Sequence, residues 1–463
     1  MPSKKWHFFL NHRVQRISTH FYHPIQFPPL ALNNILRIAL PSIISNITVP
    51  LLSLVDTVIV GHLGAAAYIG AIAVGSLIFN MAYWLFGFLR MGTGGLTAQA
   101  HGAGQEAEAH FTLFRSLSMA TVLALLLIVC QLPLERLAFA LIDGSEQVEA
   151  LAAQYFRILI WGAPAVLMLY SFNGWFLGMQ QAKVPMLIAL VQNVVNIVAS
   201  LCFVYLFHLK VEGVAWGTLL AQYTALGMAL YIYRRQYRRS RPSALPSRWF
   251  KQQAFTHFFR VNSDIFLRTF CLICVTTAFT SAGASQGELT LAANTLLMQF
   301  FVWFSYVMDG FAYAGEALGG HCLGANDRRE FVRLTHRLFR YGTVLAAGFT
   351  LAYAAGGTTF LRLLTNDATV VDAATRFLPW VIAIPFVSMA AFLFDGLFIG
   401  TTATRAMLGS MAAATLLFFA VILPFRLTNP LLWTAFLLYL GCRGAVQALL
   451  FRKQLHKFLN NSK

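Results

Sequence analysis

Charged side chains are scarce in this sequence. Only 11% of its 463 residues are Asp, Glu, Lys or Arg, whereas 58% are hydrophobic and 14% are aromatic. Soluble domains usually carry about 25% charged residues, so this chain has too little polar surface for a water-facing fold. Together with a mean hydropathy of +0.64, this composition excludes a soluble enzyme and predicts an all-α polytopic membrane protein.

Acidic residues are the rarer of the two charge types. The chain has 17 Asp and Glu against 34 Lys and Arg, which gives a formal charge of +17. The basic residues gather at 4–16, 234–251 and 452–463, and each cluster borders a long apolar run. Short positive loops are typical of the cytoplasmic face of a membrane protein. The excess therefore indicates a bilayer partner, and no nucleic-acid partner is expected.

The sequence also lacks the motifs of catalysis and of cofactor binding. Its six cysteines lie in or beside apolar runs, without the spacing of a disulfide framework or a metal site. Neither a nucleotide-binding G-x-x-x-x-G-K-[ST] motif nor H-E-x-x-H is present. An intramembrane enzyme is a rival, but His62, His101 and His321 have no recognisable nucleophile partner. We expect no enzyme activity, no metal and no cofactor.

Apolar windows of about twenty residues follow one another along the chain and predict about twelve transmembrane helices. An even number of spans places both termini and the central basic segment on one side, which the positive charges identify as cytoplasmic. The predicted parts are an N-terminal extension at 1–34, an N-lobe at 35–233, a basic linker at 234–255, a C-lobe at 256–452 and a tail at 453–463.

An internal repeat relates the two halves. The pair Asn173-Gly174 recurs as Asp395-Gly396, and the tetrapeptide TVLA at 121–124 recurs at 343–346 with the same separation. We call this constant separation, from Asn173 to Asp395, the repeat offset. Six spans in each half give parallel repeats, related by an axis along the membrane normal. Two six-helix lobes around a central cleft are a transporter plan.

A carboxylate inside the membrane is a functional candidate, because insertion of a charge costs at least about 2.5 to 3.5 kcal/mol. Asp56 lies in the first predicted span, and Pro41 and Pro50 precede it as hinge candidates. Polar residues of the fourth and fifth spans are candidates for a wet lining around it: Asn173, Gln192, Asn193, Asn196 and Ser200. A buried structural Asp, and amides that only link helices, remain open alternatives.

The second half carries further acidic residues. Asp264 and Arg268 have the spacing of a helical ion pair. Asp309 and Glu316 share a helix face, and Asp395 is the repeat counterpart of Asn173. These four carboxylates predict a second polar cluster facing the cleft, and the intramembrane charges are expected to be mainly acidic. Aromatic side chains, such as Tyr83, Trp84 and Trp175, are candidates for contact with planar substrates.

Several segments resemble the MATE family of multidrug and toxic compound extrusion transporters, specifically its bacterial DinF branch. They include IALPSIISNITVPLLSLVDTVIVGHLG, QNVVNI, GVAWGTLLAQY, MDGFAYAGEALGGHCLGANDR and LFDGLFIGTTATRAMLGSMA. The resemblance covers about residues 33–453. It implies twelve helices in two lobes, and export of organic, often cationic, compounds coupled to inward H⁺ or Na⁺.

The resemblance also implies residue roles. Asp56 matches the first-helix carboxylate that is protonated in the DinF branch, Pro41 matches the bend of that helix, and Asn196 and Thr218 belong to the same pocket. Ser200 stands where some relatives have Asp, which favours H⁺ over Na⁺. We therefore expect a monomeric antiporter for small-molecule substrates in the bacterial inner membrane, with H⁺ entering through Asp56. Na⁺-coupled efflux and a lipid-linked sugar flippase are the alternatives.

Overall fold

The computed structural model describes residues 32–61, 66–141, 145–238, 252–425 and 427–460. Most of the predicted N-terminal extension, most of the basic linker and the last three residues of the tail lie outside this part of the chain. Regular structure in the described residues is entirely helical, without strands, so the predicted all-α class is confirmed.

The described part of the first half contains nine α-helices. They are α1 (Leu32–Gly61), α2 (Ala66–Leu85), α3 (Phe88–Gly102), α4 (Glu106–Val129), α5 (Gln131–Leu141), α6 (Glu146–Leu159), α7 (Ala163–Gly178), α8 (Lys183–Leu201) and α9 (Val211–Gln236). A 3₁₀ turn (Ile160–Gly162) joins α6 to α7, and a π turn (Cys202–Leu206) extends α8. Helix α1 begins slightly before the predicted start of the N-lobe.

The described part of the second half contains seven helices. They are α10 (Gln252–Ala284), α11 (Glu288–Gly324), α12 (Arg328–Leu364), α13 (Ala368–Thr375), α14 (Leu378–Gly400), α15 (Thr404–Ile422) and α16 (Asn429–Asn460). Asp327 caps α12 by accepting a hydrogen bond from the Glu330 amide at 3.0 Å. Asp367 caps α13 in the same way, through the Thr369 amide at 2.9 Å.

Ten helical segments among the described residues are long and apolar enough to cross a membrane. Helices α1 and α9 are outside that set, but their counterparts one repeat offset later are α10 and α16, which belong to it. Adding α1 and α9 gives twelve spans, six in each half. The predicted fold class, about twelve helices in two lobes, is confirmed.

The repeat is visible in the backbone as well as in the sequence. Helices α2 and α11 begin one repeat offset apart, as do α4 and α12, and α7 and α14 end with the same separation. Even the left-handed residues correspond: Gly104 (φ 69°) matches Asn326 (φ 54°), and Gln180 (φ 60°) matches Thr402 (φ 52°). A left-handed turn after a helix stops it and redirects the chain, so both lobes turn at equivalent places.

Glycines let the helices of each lobe cross closely. A Cβ atom at Gly174 of α7 would collide with the Arg90 carbonyl of α3, and one at Gly396 of α14 would collide with the Ala312 carbonyl of α11. These two crossings are equivalent under the repeat offset. Small residues permit such close backbone approach between helices in membranes. They bring α3 directly against α7 and α11 directly against α14.

The two lobes meet along α3 and α11. Gly102 packs against the His321 carbonyl, and its counterpart Gly324 packs against the Gln99 carbonyl. Gln99 also donates from Nε2 to the Gly400 carbonyl at 2.8 Å. The lobes are therefore in close backbone contact at the ends of α3 and α11, on the face to which the predicted basic linker connects.

Candidate functional site

The first candidate site surrounds Asp56 in the N-lobe. Asp56 lies on α1, its residue is only 3% exposed, and Pro41 and Pro50 lie earlier in the same helix. Each proline removes a backbone donor from the helix. Helix α1 of the N-lobe also packs on the C-lobe, since Gly310 of α11 approaches the Ala39 carbonyl and Asn46 donates to the Tyr306 carbonyl at 3.2 Å.

Neutral side chains from two other helices reach Asp56. Thr218 of α9 donates from Oγ1 to Asp56 Oδ2 at 3.5 Å, and Asn196 of α8 donates from Nδ2 to Thr218 Oγ1 at 2.8 Å. The sequence-predicted residues Asp56, Asn196 and Thr218 thus form one chain of side chains across α1, α8 and α9. No Lys, Arg or His pairs with Asp56 among the described residues.

Several oxygens around this chain have no hydrogen-bond partner in the described part of the protein. They are Asp56 Oδ1, Asn196 Oδ1 and Ser200 Oγ, all buried. Ser200 lies against Gly217 where α8 crosses α9. Buried polar atoms are usually satisfied, so these oxygens are available to a proton, a cation or water.

The other predicted lining residues are not brought to Asp56. Asn193 donates from Nδ2 to the Thr48 carbonyl at 3.0 Å, so it links α8 to α1, in agreement with the helix-linking alternative. Gln192 of α8 and Asn173 of α7 form no hydrogen bond with the Asp56 carboxylate among the described residues, and Asn173 has a buried, unpartnered Oδ1. The pocket around Asp56 is therefore smaller than the sequence predicts.

The second candidate site is a cavity of about 160 Å³ that is lined mainly by C-lobe residues and also by Trp84, Arg90 and Met91 of the N-lobe. We call it the C-lobe cavity. Three of the four predicted carboxylates line it, namely Asp309, Glu316 and Asp395, together with Arg90, Arg268 and Arg443. The expectation that the intramembrane charges are mainly acidic is wrong here, because three arginines balance three carboxylates. Arg90 and Arg443 were not among the predicted residues, although the cost of placing a charge inside the membrane applies to arginine as it does to Asp and Glu.

Asp395 lies at the centre of an ion cluster. Both Arg268 of α10 and Arg443 of α16 donate from Nη2 to its Oδ2 atom. Gln447, one turn beyond Arg443, donates from Nε2 to Oδ1 at 2.5 Å. The carboxylate is buried among these donors, as a charge in the interior requires. The cluster ties α10, α14 and α16 together.

The predicted pair of Asp264 with Arg268 is wrong. Arg268 turns to Asp395, while Asp264 accepts a hydrogen bond from Thr404 Oγ1 at 2.7 Å and does not line the cavity. Helical spacing permits a pair but does not enforce it. Because Asp395 sits opposite on α14, Arg268 reaches a carboxylate that two further donors also stabilise.

Glu316 connects the lobes through a residue that sequence reasoning missed. Arg90 of α3 donates from Nη1 to Glu316 Oε2 at 3.3 Å, and its guanidinium lies 4.1 Å from the Tyr313 ring centroid, a cation–π contact. Glu316 is the repeat counterpart of Gly94, and the two residues touch. The space left by the missing side chain of Gly94 in the N-lobe is thus occupied by the carboxylate of Glu316 from the C-lobe.

The three aromatic candidates lie in different environments. Trp84 is 44% exposed and lines the cavity. Tyr83 is buried in the N-lobe. Trp175 is fully buried and donates from Nε1 to the Ala109 carbonyl at 2.8 Å. Trp175 is therefore a core residue, contrary to the prediction that it meets substrate.

Comparison with known proteins decides the family. The MatE family profile matches residues 41–202 and 265–424, which is more than half of the chain. The chain belongs to the MATE family. It is 36% identical over 420 residues to the DNA damage-inducible protein F of Escherichia coli strain K12, a match that covers 90% of this chain and 91% of that protein. The resemblance found in the sequence is confirmed.

Solved structures show the same fold. A crystal structure described as MATE in the bent conformation matches with a TM-score of 0.82 and 18% identity, covering 93% of this chain and 96% of the other. One described as the straight conformation matches with a TM-score of 0.78 and 19% identity, covering 92% and 96%. The chain is thus a multi-pass membrane transporter of the multidrug and toxic compound efflux class, not an enzyme.

Proposed function

We propose that this chain is a monomeric secondary antiporter of the bacterial inner membrane, which exports amphipathic organic compounds in exchange for inward H⁺. The observation that carries the proposal is the buried carboxylate of Asp56, which only neutral groups approach among the described residues. An isolated charge in the interior is costly, so this carboxylate favours a bound proton whenever no cation is present. A group that gains and loses a proton within the membrane is the minimum requirement for H⁺ coupling.

The position of Asp56 couples proton binding to movement of α1 and of the two lobes. Thr218 and Asn196 hold the carboxylate of α1 to α8 and α9, whereas the prolines of α1 weaken its backbone ladder. A change of charge on Asp56 alters its hydrogen bond to Thr218. Because α1 also packs on α11, this local change is transmitted to the contact between the lobes.

Charge asymmetry supports cytoplasmic termini. Basic residues lie in the first turn of the helices that follow the ends of α7, α11 and α14: Lys183, Arg328 and Arg405. Acidic residues lie on both faces, since Glu106 opens α4 on this one while Glu146 and Glu288 open α6 and α11 on the other. Orientation in the membrane follows mainly the Lys and Arg residues. This distribution fits a cytoplasmic face at the ends of α3 and α11, where the lobes are in contact.

The test is transport in proteoliposomes that contain the full chain. With an imposed pH gradient, Asp56→Asn should abolish substrate-coupled H⁺ movement while the protein still purifies as a folded species. The exposed Asp372→Asn variant is the matched control and should behave as the unmodified protein. Retained drug and H⁺ exchange in Asp56→Asn would overturn the assignment.

Na⁺ coupling is a second candidate, because the unpartnered oxygens of Asp56, Asn196 and Ser200 are of the type that hard cations prefer. The same proteoliposomes distinguish the two ions. Transport driven by an imposed Na⁺ gradient at constant pH, and absent under a pH gradient alone, would establish Na⁺. A lipid-linked sugar flippase is not favoured, since its pyrophosphate requires a strongly basic cavity and the C-lobe cavity is formally neutral.

A further inference from the structure

The Asp56 mechanism makes no use of the C-lobe cavity, yet this cavity contains the densest group of buried charges in the described part of the chain. Arg268 and Arg443 share one carboxylate, Asp395, so one positive charge is in excess there. Arg90 and Glu316 balance each other. Asp309 lines the same cavity and lies close enough to Arg268 and Arg443 for the charges to attract each other. It forms neither a hydrogen bond nor an ion pair with the described residues, so its negative charge has no direct partner.

Unpartnered donors lie on the positive side of the cavity. The Nε atoms of Arg268 and Arg443 are buried and have no acceptor in the described part of the protein. The two side chains are only 9% and 3% exposed. A buried guanidinium N–H without a partner costs free energy, and an anionic oxygen in the cavity would satisfy it. Asp309 offers the complementary acceptor on the same cavity wall.

We propose that this cavity binds a dipolar ion, a compound with one anionic and one ammonium group a few atoms apart, as the substrate class of the transport proposed above. The anionic oxygens accept from Arg268 and Arg443, and the ammonium group pairs with Asp309. Trp84, Phe301 and Phe392 supply the apolar wall. A ligand with a single charge gains one of these contacts and is repelled by the other unpaired charge.

The size of the cavity further restricts the class of ligand that it can bind. Its volume of about 160 Å³ is close to that of an engineered protein cavity of about 150 Å³ that binds benzene. That space suits a head of amino-acid size, with any larger apolar part extending past Trp84. The same chemistry occurs in free amino-acid-like compounds and in the headgroup of phosphatidylethanolamine, so the experiment must separate these two sources.

Binding of three matched probes to the full chain tests the proposal without transport. The probes are L-phenylalanine, 3-phenylpropanoate and 2-phenylethylamine, titrated calorimetrically at neutral pH into protein in phosphatidylglycerol nanodiscs. We expect phenylalanine to bind at least about tenfold more tightly than either analogue, which corresponds to about 1.4 kcal/mol. Equal or tighter binding of the amine would overturn the proposal, and so would failure of all three probes to bind at millimolar concentration.

Variants show which charges recognise the probe. Asp309→Asn, which breaks no hydrogen bond to the described residues, should reverse the preference, so that 3-phenylpropanoate binds more tightly than before and phenylalanine binds at least about tenfold less tightly. Arg443→Gln leaves Asp395 paired with Arg268 and removes the excess positive charge, so it should weaken the binding of both carboxylate probes. Asp372→Asn and Arg405→Gln, both exposed, are the charge-matched controls. An unchanged order in Asp309→Asn would show that these charges only stabilise the lobe.

Two further arms identify the source of the ligand and separate this proposal from H⁺ coupling. Phosphatidylethanolamine added to the nanodiscs should weaken phenylalanine binding if a lipid headgroup is the natural occupant, and should leave it unchanged if the occupant is a soluble compound. Asp56→Asn should keep the order of the three probes, because the proposal rests on Asp56 only for transport. Loss of that order in Asp56→Asn would contradict a separate C-lobe site.

Discussion

The contact between α3 and α11 yields the sharpest prediction. A Cβ atom at Gly102 would lie 2.8 Å from the carbonyl carbon of His321, and one at Gly324 would lie 2.9 Å from the carbonyl carbon of Gln99. Carbon atoms prefer about 3.5 to 4.0 Å, and both obstacles are backbone, which cannot rotate away. Alanine at either position therefore forces the helices apart.

The expected magnitude follows from the cost of overpacking. Such a substitution costs about 1 to 3 kcal/mol, which corresponds to a shift of roughly 5- to 150-fold in the equilibrium between joined and separated lobes. Because the two crossings are equivalent, Gly102→Ala and Gly324→Ala should give shifts of similar size. Gly409→Ala is the matched control, since a Cβ atom there meets nothing within 4 Å.

Pulsed electron spin resonance measures this shift. Spin labels at Lys183 and Arg405, which are exposed and equivalent in the two lobes, report the separation of this face after the six native cysteines, all free, are replaced. Both alanine variants should add a population at longer distance, and Gly409→Ala should not. An unchanged distribution in both variants, or a shift in only one, would refute the role of these crossings.

Two other contacts give independent predictions. Glu316→Gln leaves Arg90, whose side chain is 14% exposed, without its carboxylate and should destabilise the protein by up to about 3 kcal/mol in thermal unfolding. The double variant with Arg90→Gln should recover part of that loss, and no recovery would argue against a direct pair. Thr218→Val removes the hydroxyl that links Asn196 to Asp56 at nearly constant volume, so H⁺-coupled transport should fall roughly fivefold, for about 1 kcal/mol. Thr224→Val, which removes only a bond to the Leu220 carbonyl of its own helix, should have no effect, and an equal loss in both variants would contradict the assigned role of Thr218.

Much of the fold was predictable because the lengths of the apolar segments and the internal repeat can be read directly from the amino-acid sequence. The repeat offset aligns the two halves from the amino-acid order alone, and the matching left-handed turns at Gly104 and Asn326 follow the same offset. The group around Asp56 was only partly predictable. Helical spacing put Asn193 and Asn196 on one face, but it did not show that Asn193 would turn to the Thr48 carbonyl.

The C-lobe cavity was less predictable, for a physical reason. Long side chains reach across helices, so the partner of Arg268 depends on how α10, α14 and α16 pack rather than on local spacing. Arg90 belongs to the other lobe altogether, and its contact with Glu316 exists only once the lobes dock. The sequence identifies the intramembrane charges; packing decides which of them meet.

The close glycine crossings also explain why the halves have kept equal lengths. Between 66 and 178, and between 288 and 400, no residue has been gained or lost in one half without the other. One residue inserted within a helix would rotate the part that follows it by about 100° and carry Gly174 or Gly396 away from the carbonyl it faces. Side chains at equivalent positions differ between the halves, as Asn173 and Asp395 do, but the number of residues between the crossings is the same. What the two halves share is therefore mainly the spacing of their residues.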